Sequence, residues 1–318
     1  MTGFGARVAE AAGRAGAGLA LLAAYLVAAG CAASPAPPAQ APGSFELRFL
    51  DVGQGDAILI RGAGRTVLVD AGETDRIAAQ LRALGVDTID VAVASHNHDD
   101  HIGGMDAVLR AFPVRFYLDN GRPANTRIQR TVLELVRDGG VTYRDAAALD
   151  DSVVALGDAA LRVLASPVQG RRANPNDESI ALILDRGAFR ALLTGDSERR
   201  ELGALLREAR IPDVDVLKAP HHGSRNGVIP SWLKRTRPEV VVISVGAGNS
   251  YGLPDEDALA VYGEGGRAVL RTDLDGDIVI TVDSRGCYEV RAGRTGGEVR
   301  AHGGPAACAV PPTQETRP

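Results

Sequence analysis

Positive charge is in deficit in this sequence. Lys and Arg number 35 against 40 Asp and Glu, for a formal net charge of −5. A chain with that balance has no overall attraction for a phosphate polymer, so any nucleic-acid binding must be local. Histidine is scarce, with six in 318 residues, and cysteine scarcer still, with three. Aromatics are only 4%, a bias that goes with abundant Ala, Arg, Gly and Val and carries no functional weight. A convincing membrane span is missing too. The apolar run "AGAGLALLAAYLVAAG", residues 15–30, is too short and too rich in Ala and Gly for one.

That run, preceded by Arg7 and Arg14, instead fits the apolar region of a secretory signal. Ala28, Ala29 and Gly30 directly before Cys31 resemble a bacterial lipobox, although Ala28 stands where Leu is usual. We therefore expect residues 1–30 to be a lipoprotein-type leader and Cys31 to carry a lipid anchor to a membrane. A plain signal peptide and a retained anchor are the alternatives, and all three place the rest of the chain outside the cytoplasm. Without this leader, whose Arg7 and Arg14 outweigh Glu10, the formal charge becomes −6. Residues 31–44 read as a Pro/Ala-rich tether. Residues 286–318 read as a C-terminal tail, in which an oxidising compartment permits a Cys287–Cys308 disulfide; two free thiols are the equal alternative.

Between these segments, residues 45–285 read as one domain. The runs "FELRFLDV", "DAILIR" and "RTVLVDAG" alternate like strands and are followed by a helical "TDRIAAQLRALG" and a buried strand "IDVAVAS". The second half repeats the grammar, with strands "AALRVLAS", "SIALILDR" and "FRALLTGD" before the helix "SERRELGALLREAR". Two successive blocks of strands and then helices predict an α/β fold of two sheets face to face with helices outside, a four-layer αββα sandwich. Sites in such folds gather in the loops at strand ends.

One of those loops, "SHNHDDHIGG" (residues 95–104), holds three of the six histidines. Read for chemistry it is His96-x-His98-x-Asp100-His101, set where a buried strand gives way to a Gly-Gly helix start. Imidazole and carboxylate without thiolate suit Zn²⁺, Mn²⁺ or Fe²⁺, and an incomplete shell leaves room for water. A merely solvated loop would need three histidines and three aspartates, Asp99, Asp100 and Asp106, to coincide by accident.

"HNHDDH" resembles the HxHxDH signature of the metallo-β-lactamase superfamily, and two further landmarks follow in order, "LLTGD" and "LKAPHHGS". The resemblance implies the αββα fold and one or two divalent ions, Zn²⁺ or Mn²⁺. It places His96 and His98 on one ion, Asp100, His101 and His221 on the other, and Asp196 between them. Asp196, like Ser197, is otherwise suited to capping the next helix. From Phe45 to Asp283 the chain is also similar to the extracytoplasmic hydrolase domain of ComEC-type competence proteins. "LDVGQGDAILI", "TVLVDAG", "NDESIALILDRGAFRALLTGD" and "NSYGLPDEDAL" carry that likeness.

Two departures stand out. No histidine occurs from 102 to 220, where the superfamily commonly supplies one more ligand; Asn176 and Ser179 lie there instead. The first ion then has only His96, His98, Asp196 and water, so its occupancy is expected to be weak. In "NSYGLP", Leu253 stands where similar domains have His.

The remaining roles follow from these motifs. Asp100 is expected to serve in catalysis as well as ligation, Lys218 to reach a phosphate, and His222 to act as general acid or pack beside the ligand. Ser224 and Arg225 are candidate donors to phosphate oxygens. Asn176, Ser179, Gln54 and Asp56 are candidate site-lining residues. Asp70 either orients a ligand histidine or is a simple turn residue, and Asp99 is a capping or supporting group. Lys234, Arg235 and Arg237 form either a local phosphate track or a solvated helix face. The expected activity is hydrolysis of phosphodiesters, with single-stranded DNA the leading substrate and a separate DNA-uptake channel a partner. The alternatives are a small envelope ester, of choline-phosphate or lactone type, and a non-catalytic binding module.

Overall fold

In the computed structural model the described residues are 45–123, 125–168, 170, 174–293, 298–304 and 308. The leader, the lipid-anchor cysteine and the tether expected over 1–44 lie outside them. Two sheets make the framework. The first has nine strands: β1 (Phe45–Phe49), β2 (Ile58–Gly62), β3 (Arg65–Val69), β4 (Ile89–Val93), β5 (Val114–Asp119), β6 (Thr142–Asp145), β14 (Ile278–Val282), β15 (Tyr288–Ala292) and β16 (Glu298–Gly303). Their order across the sheet is β16-β15-β14-β1-β2-β3-β4-β5-β6. The second sheet holds β7 (Val153–Leu156), β8 (Ala159–Leu164), β9 (Ala181–Arg186), β10 (Phe189–Leu193), β11 (Val216–Lys218), β12 (Val240–Ile243) and β13 (Ala268–Arg271), in the order β13-β12-β11-β10-β9-β8-β7.

The layers follow from alternation along the strands. Phe45, Leu47 and Phe49 of β1 point with Val67 and Val69 of β3 into a core shared with Leu182, Leu184, Ala191 and Leu193 of the second sheet. Leu59, Leu68 and Ala92, on the other face of the first sheet, meet Ile77 and Leu81 of α1 (Arg76–Ala83), Val108 of α3 (Met105–Ala111) and Val132 of α4 (Arg127–Asp138). On the far side, Ile183, Leu192 and Val241 pack under Leu202 and Leu205 of α5 (Arg199–Arg207), Trp232 of α6 (Pro230–Thr236) and Tyr262 of α7 (Glu256–Gly263). The fold is therefore the expected αββα sandwich. Each fully buried Leu, Ile or Val contributes about 1.5–3 kcal/mol of transfer free energy.

The first sheet runs past residue 285, where the domain was expected to end. β15 pairs with β14 along its whole length and β16 with β15, so the chain belongs to the sandwich as far as Gly303. In "YEVRA" the alternation of Tyr288, Val290 and Ala292 inward with Glu289 and Arg291 outward drives that pairing. Cys287 and Cys308 are joined in a disulfide that ties this edge down.

Two loops position the site through glycine. Gly55, at φ +103°, lies so close to the Asp100 carbonyl that a Cβ there would stand 1.7 Å from its oxygen. The absence of a side chain lets the "DVGQGDA" loop dock on the histidine motif, where Asp56 N–H donates to Asp100 O at 3.2 Å. Gly195, at φ +50°, makes the same kind of approach to Ser95.

Candidate metal centre

Four strand ends deliver the polar cluster. Asp70 follows β3, His96 to His101 follow β4 and enter the short helix α2 (Asp99–Ile102), Asp196 follows β10, and His221 and His222 follow β11. Asp100, His101, Asp196 and His222 each place a ligand atom within 4.8 Å of the other three. His101 Nε2 is 3.2 Å from Asp196 Oδ1, and His222 Nε2 is 3.3 Å from Asp196 Oδ2 and 3.2 Å from Asp100 Oδ2. These approaches are not aligned as hydrogen bonds: His101 Nε2, His222 Nε2 and Asp196 Oδ1 are buried atoms with no hydrogen-bond partner. Orphaned atoms of this kind cost free energy unless something binds them. A divalent cation is what such a set of imidazole nitrogens and carboxylate oxygens fits, and the cluster is suited to one or two ions.

The second nitrogen of each ring is already committed. His101 Nδ1–H donates to Asp70 Oδ2 at 2.8 Å, and Ser95 donates to the same carboxylate through N–H and Oγ–H, both at 2.7 Å. His222 Nδ1–H donates to Ser244 O at 2.9 Å. Both arrangements turn Nε2 toward the cluster, as is usual for metal-binding histidines. Burial disfavours the charged form of both rings, but Asp196 and the other carboxylates around them outweigh it and raise both imidazole pKa values well above the ordinary 6.5. Asp196 is held well below 3.8, since His222 and His101 overcome the burial that opposes its charge. The cluster is a field of carboxylates that holds positive charge.

Asp196 does not cap a helix. The cap of α5 is Glu198, which leaves Asp196 free for the cluster. The adjacent histidines trade places relative to expectation. His222, buried, joins Asp100, His101 and Asp196, whereas His221 is 22% exposed and lies elsewhere around Asp196, its Nδ1 3.1 Å from Glu198 Oε1. The cause is the backbone: His221 and His222 both adopt left-handed conformations, at φ 48° and 51°, and that reversal decides which ring faces inward. Such conformations cost about 1–3 kcal/mol each and persist where the surroundings enforce them.

Several substrate-binding expectations are corrected by burial. Lys218 is fully buried, its Nζ 2.5 Å from Asp56 Oδ2 and donating to Gly195 O at 2.8 Å, so it cannot reach a phosphate in the cleft. Asp56 is likewise buried beneath the cluster and does not line the cleft. Ser179 is buried, donating to Asn176 O and accepting from Asp196 N–H, so it places Asp196 and not a substrate. Ser224 caps a short turn by accepting from Asn226 N–H. Arg225 is held by Asp255 at 2.9 Å. Arg237 pairs with Asp213, and Arg235 donates to Ile211 O. Lys234 and Arg237 line a different cleft, formed with Arg267, so the stretch makes no track at this site.

The cleft over the cluster has a volume of about 500 Å³. Gln54 and Asn176 line it as expected, Leu253 lines it too, and Asp99 reaches its edge from the first turn of α2. Glu73, Thr126 and Tyr251 line it as well; Glu73 and Thr126 lie in no motif, and Tyr251, within "NSYGLP", had been given no role. Glu198 was also missed. It accepts from Asn174 Nδ2 at 2.8 Å and Asn176 Nδ2 at 3.1 Å beside His221, and its place two residues after Asp196 in "GDSE" was the available signal.

The chain is 28% identical over 256 residues to ComE operon protein 3 of Bacillus subtilis, covering 73% of this chain and 32% of that protein. It is 26% identical over 246 residues to Recombination protein 2 of Haemophilus influenzae, covering 74% and 28% respectively. It thus spans about a third of the length of these relatives. Among solved structures, the metallo hydrolase Igni18 of Ignicoccus hospitalis aligns with a TM-score of 0.49 at 15% identity, over 74% of this chain and 98% of that one. The profile described as Metallo-beta-lactamase superfamily matches residues 50–247, which include every residue of the cluster, and the chain belongs to that superfamily.

Proposed function

We propose that this chain is an extracytoplasmic, metal-dependent hydrolase of phosphodiesters, with single-stranded DNA as its substrate. The observation that carries the reading is the convergence of Asp100, His101, Asp196 and His222 beneath an open cleft, in a chain similar to proteins named Recombination protein 2 and Competence protein ComA. The Cys287–Cys308 disulfide suits an oxidising compartment, in keeping with a leader on residues 1–30 and a lipid anchor on Cys31. A separate DNA-uptake channel is the partner we propose.

Zn²⁺ or Mn²⁺, when held by these residues, would supply Lewis-acid activation of water and of a phosphoryl oxygen. The chain's own contribution is placement. Asp70 and Ser244 fix the rings of His101 and His222, and Ser179 and the Gly195 turn fix Asp196. Burial of His96, His101 and Asp196 at 2% exposure or less keeps water from competing for their ligand atoms. Asn176 and Gln54 offer neutral polar contacts at the cleft wall.

One observation favours a second reading. Among the described residues lining the cleft there is no Lys or Arg, and Leu253 adds an apolar wall. A small ester such as a choline phosphate suits that surface, because it needs no cationic track. Cleavage of fluorescent single-stranded DNA, bis-p-nitrophenyl phosphate and p-nitrophenylphosphorylcholine by the full chain with Mn²⁺ or Zn²⁺, beside Asp196→Ala, separates the readings. Metal-dependent DNA cutting lost in Asp196→Ala is the expected result. Turnover of the choline ester alone transfers the assignment to the second reading, and no turnover of any substrate by metal-loaded chain leaves a binding module.

A further inference from the structure

Away from the metal centre the sandwich has a second opening. β6 ends the first sheet and β7 the second, and where these edges part the inner faces enclose a cavity of about 400 Å³ that shares no residue with the cleft over the cluster. Its interior is apolar. Val91 of β4 with Phe116 and Leu118 of β5 makes one wall, and Val154 and Leu156 of β7 make the other. Phe116 pairs in register with Val91, which packs against the core between the sheets, yet Phe116 is 47% exposed. A large aromatic on the core-facing side of a strand, half open to water, is apolar surface that no described residue covers.

The mouth of the cavity is cationic. Arg65, Arg115 and Arg144 line it, with Asp90 the one carboxylate among its lining residues. Arg65 Nη1 and Arg115 Nη1 both stand 2.9 Å from Asp90 Oδ1, so two guanidinium groups share a single negative charge. Arg144 donates to the Tyr143 carbonyl at 2.8 Å, and among the described residues no carboxylate pairs with it. Three positive charges against one gather here on a chain whose net charge is −5. Such a rim repels itself until an anion joins it.

We propose that this cavity binds a single-chain amphipathic anion, a long-chain carboxylate or a lysophospholipid, with its chain between Phe116 and Val154 and its head group on Arg144. The volume falls in the range of small-ligand sites, about 300–1,000 Å³. A guanidinium with no acidic partner is suited to a carboxylate or phosphate. A nucleotide fits less well, because its sugar and base edges would lose their hydration against Val91, Leu118 and Leu156. Arg65, Asp90 and Arg115 stand at the starts of the parallel strands β3, β4 and β5, whereas Asp70 and His96 follow the ends of β3 and β4. The ligand therefore sits at the opposite end of the sheet from the metal centre and touches none of its residues.

The test is isothermal titration of the full chain with dodecanoate and with lauroyl-lysophosphatidylglycerol, each below its micelle-forming concentration, and with dodecyltrimethylammonium as the chain of opposite charge. Saturable binding of an anion is expected, with the cation at least about 10-fold weaker. The tighter anion identifies the source, free fatty acid or lipid. Arg144→Glu changes an exposed side chain and should weaken binding about 10–100-fold. Arg237→Glu makes the same change of charge in a different cleft and should leave binding as it was. Val154→Trp should fill the cavity and abolish binding; if circular dichroism shows that it does not fold, Arg144→Glu decides alone. No saturable binding of either anion, equal affinity for the cation, an affinity that Arg144→Glu leaves unchanged, or displacement of dodecanoate by thymidine monophosphate more readily than by the lysolipid would each overturn the assignment.

Discussion

Lys218→Met tests whether the floor of the centre is an internal ion pair. The ammonium and its partner Asp56 are both at most 1% exposed, 2.5 Å apart, and Lys218 Nζ also lies 3.7 Å from Asp196 Oδ1. Met keeps most of the side-chain length and removes the charge, which takes from buried Asp56 its nearest positive partner and leaves only His222 Nδ1 at 3.4 Å and His101 Nδ1 at 4.0 Å beside it. Breaking a buried pair from one side costs about 3–5 kcal/mol, mainly because the remaining charge is left unpaired. Asp56→Asn strands the ammonium in the same way. The double variant Lys218→Met/Asp56→Asn removes both charges, so it should cost clearly less than the sum of the two single changes. Urea unfolding of the four proteins, metal-free and metal-loaded, gives the coupling energy directly. A Lys218→Met loss below about 1 kcal/mol, or strict additivity with Asp56→Asn, would refute the ion pair. A raised KM for a phosphodiester with unchanged stability would restore the phosphate-contact role that the buried geometry denies.

In EDTA-treated chain the raised pKa values of His101 and His222 mean that their contribution to stability is complete below pH 6.5 and is lost as pH climbs through the raised values. The metal-free Tm should therefore fall above pH 6.5, while metal affinity rises over the same range because protons no longer compete for Nε2; a flat metal-free profile in thermal scans contradicts this. Leu253→His restores a proton donor at the cleft wall and should raise kcat on bis-p-nitrophenyl phosphate about 100-fold, with metal content unchanged. The Cys287–Cys308 bridge spans a sequence separation of 21, so Cys308→Ser should lower stability by about 3 kcal/mol in denaturant titrations without altering metal content.

The sandwich was legible because strand alternation is a local property, and "IDVAVAS" running into "HNHDDH" announced both a buried strand and what its end carries. The pairing of Lys218 with Asp56 was not, because the end of β11 meets the loop between β1 and β2 only once the two sheets are packed, and a lysine before a histidine motif looks like a phosphate contact. Nor does spacing distinguish His221 from His222: the choice depends on two left-handed φ values that no composition rule assigns to histidine. β15 and β16 escaped notice because their outward faces are charged and the Gly-rich segment around them reads as a tail.

The direction of β1 has a consequence for anything fastened to residues 31–44. β1 is antiparallel to β2 and β2 to β3, so β1 runs parallel to β3 and β4, whose far ends carry Asp70 and His96. Phe45 thus enters the sheet at the end opposite the histidines. A leash of those residues reaches at most about 50 Å. With the proposed lipid anchor on Cys31, tension on it would pull on the end of the sheet opposite the histidines and leave the cleft on the side away from the anchored end.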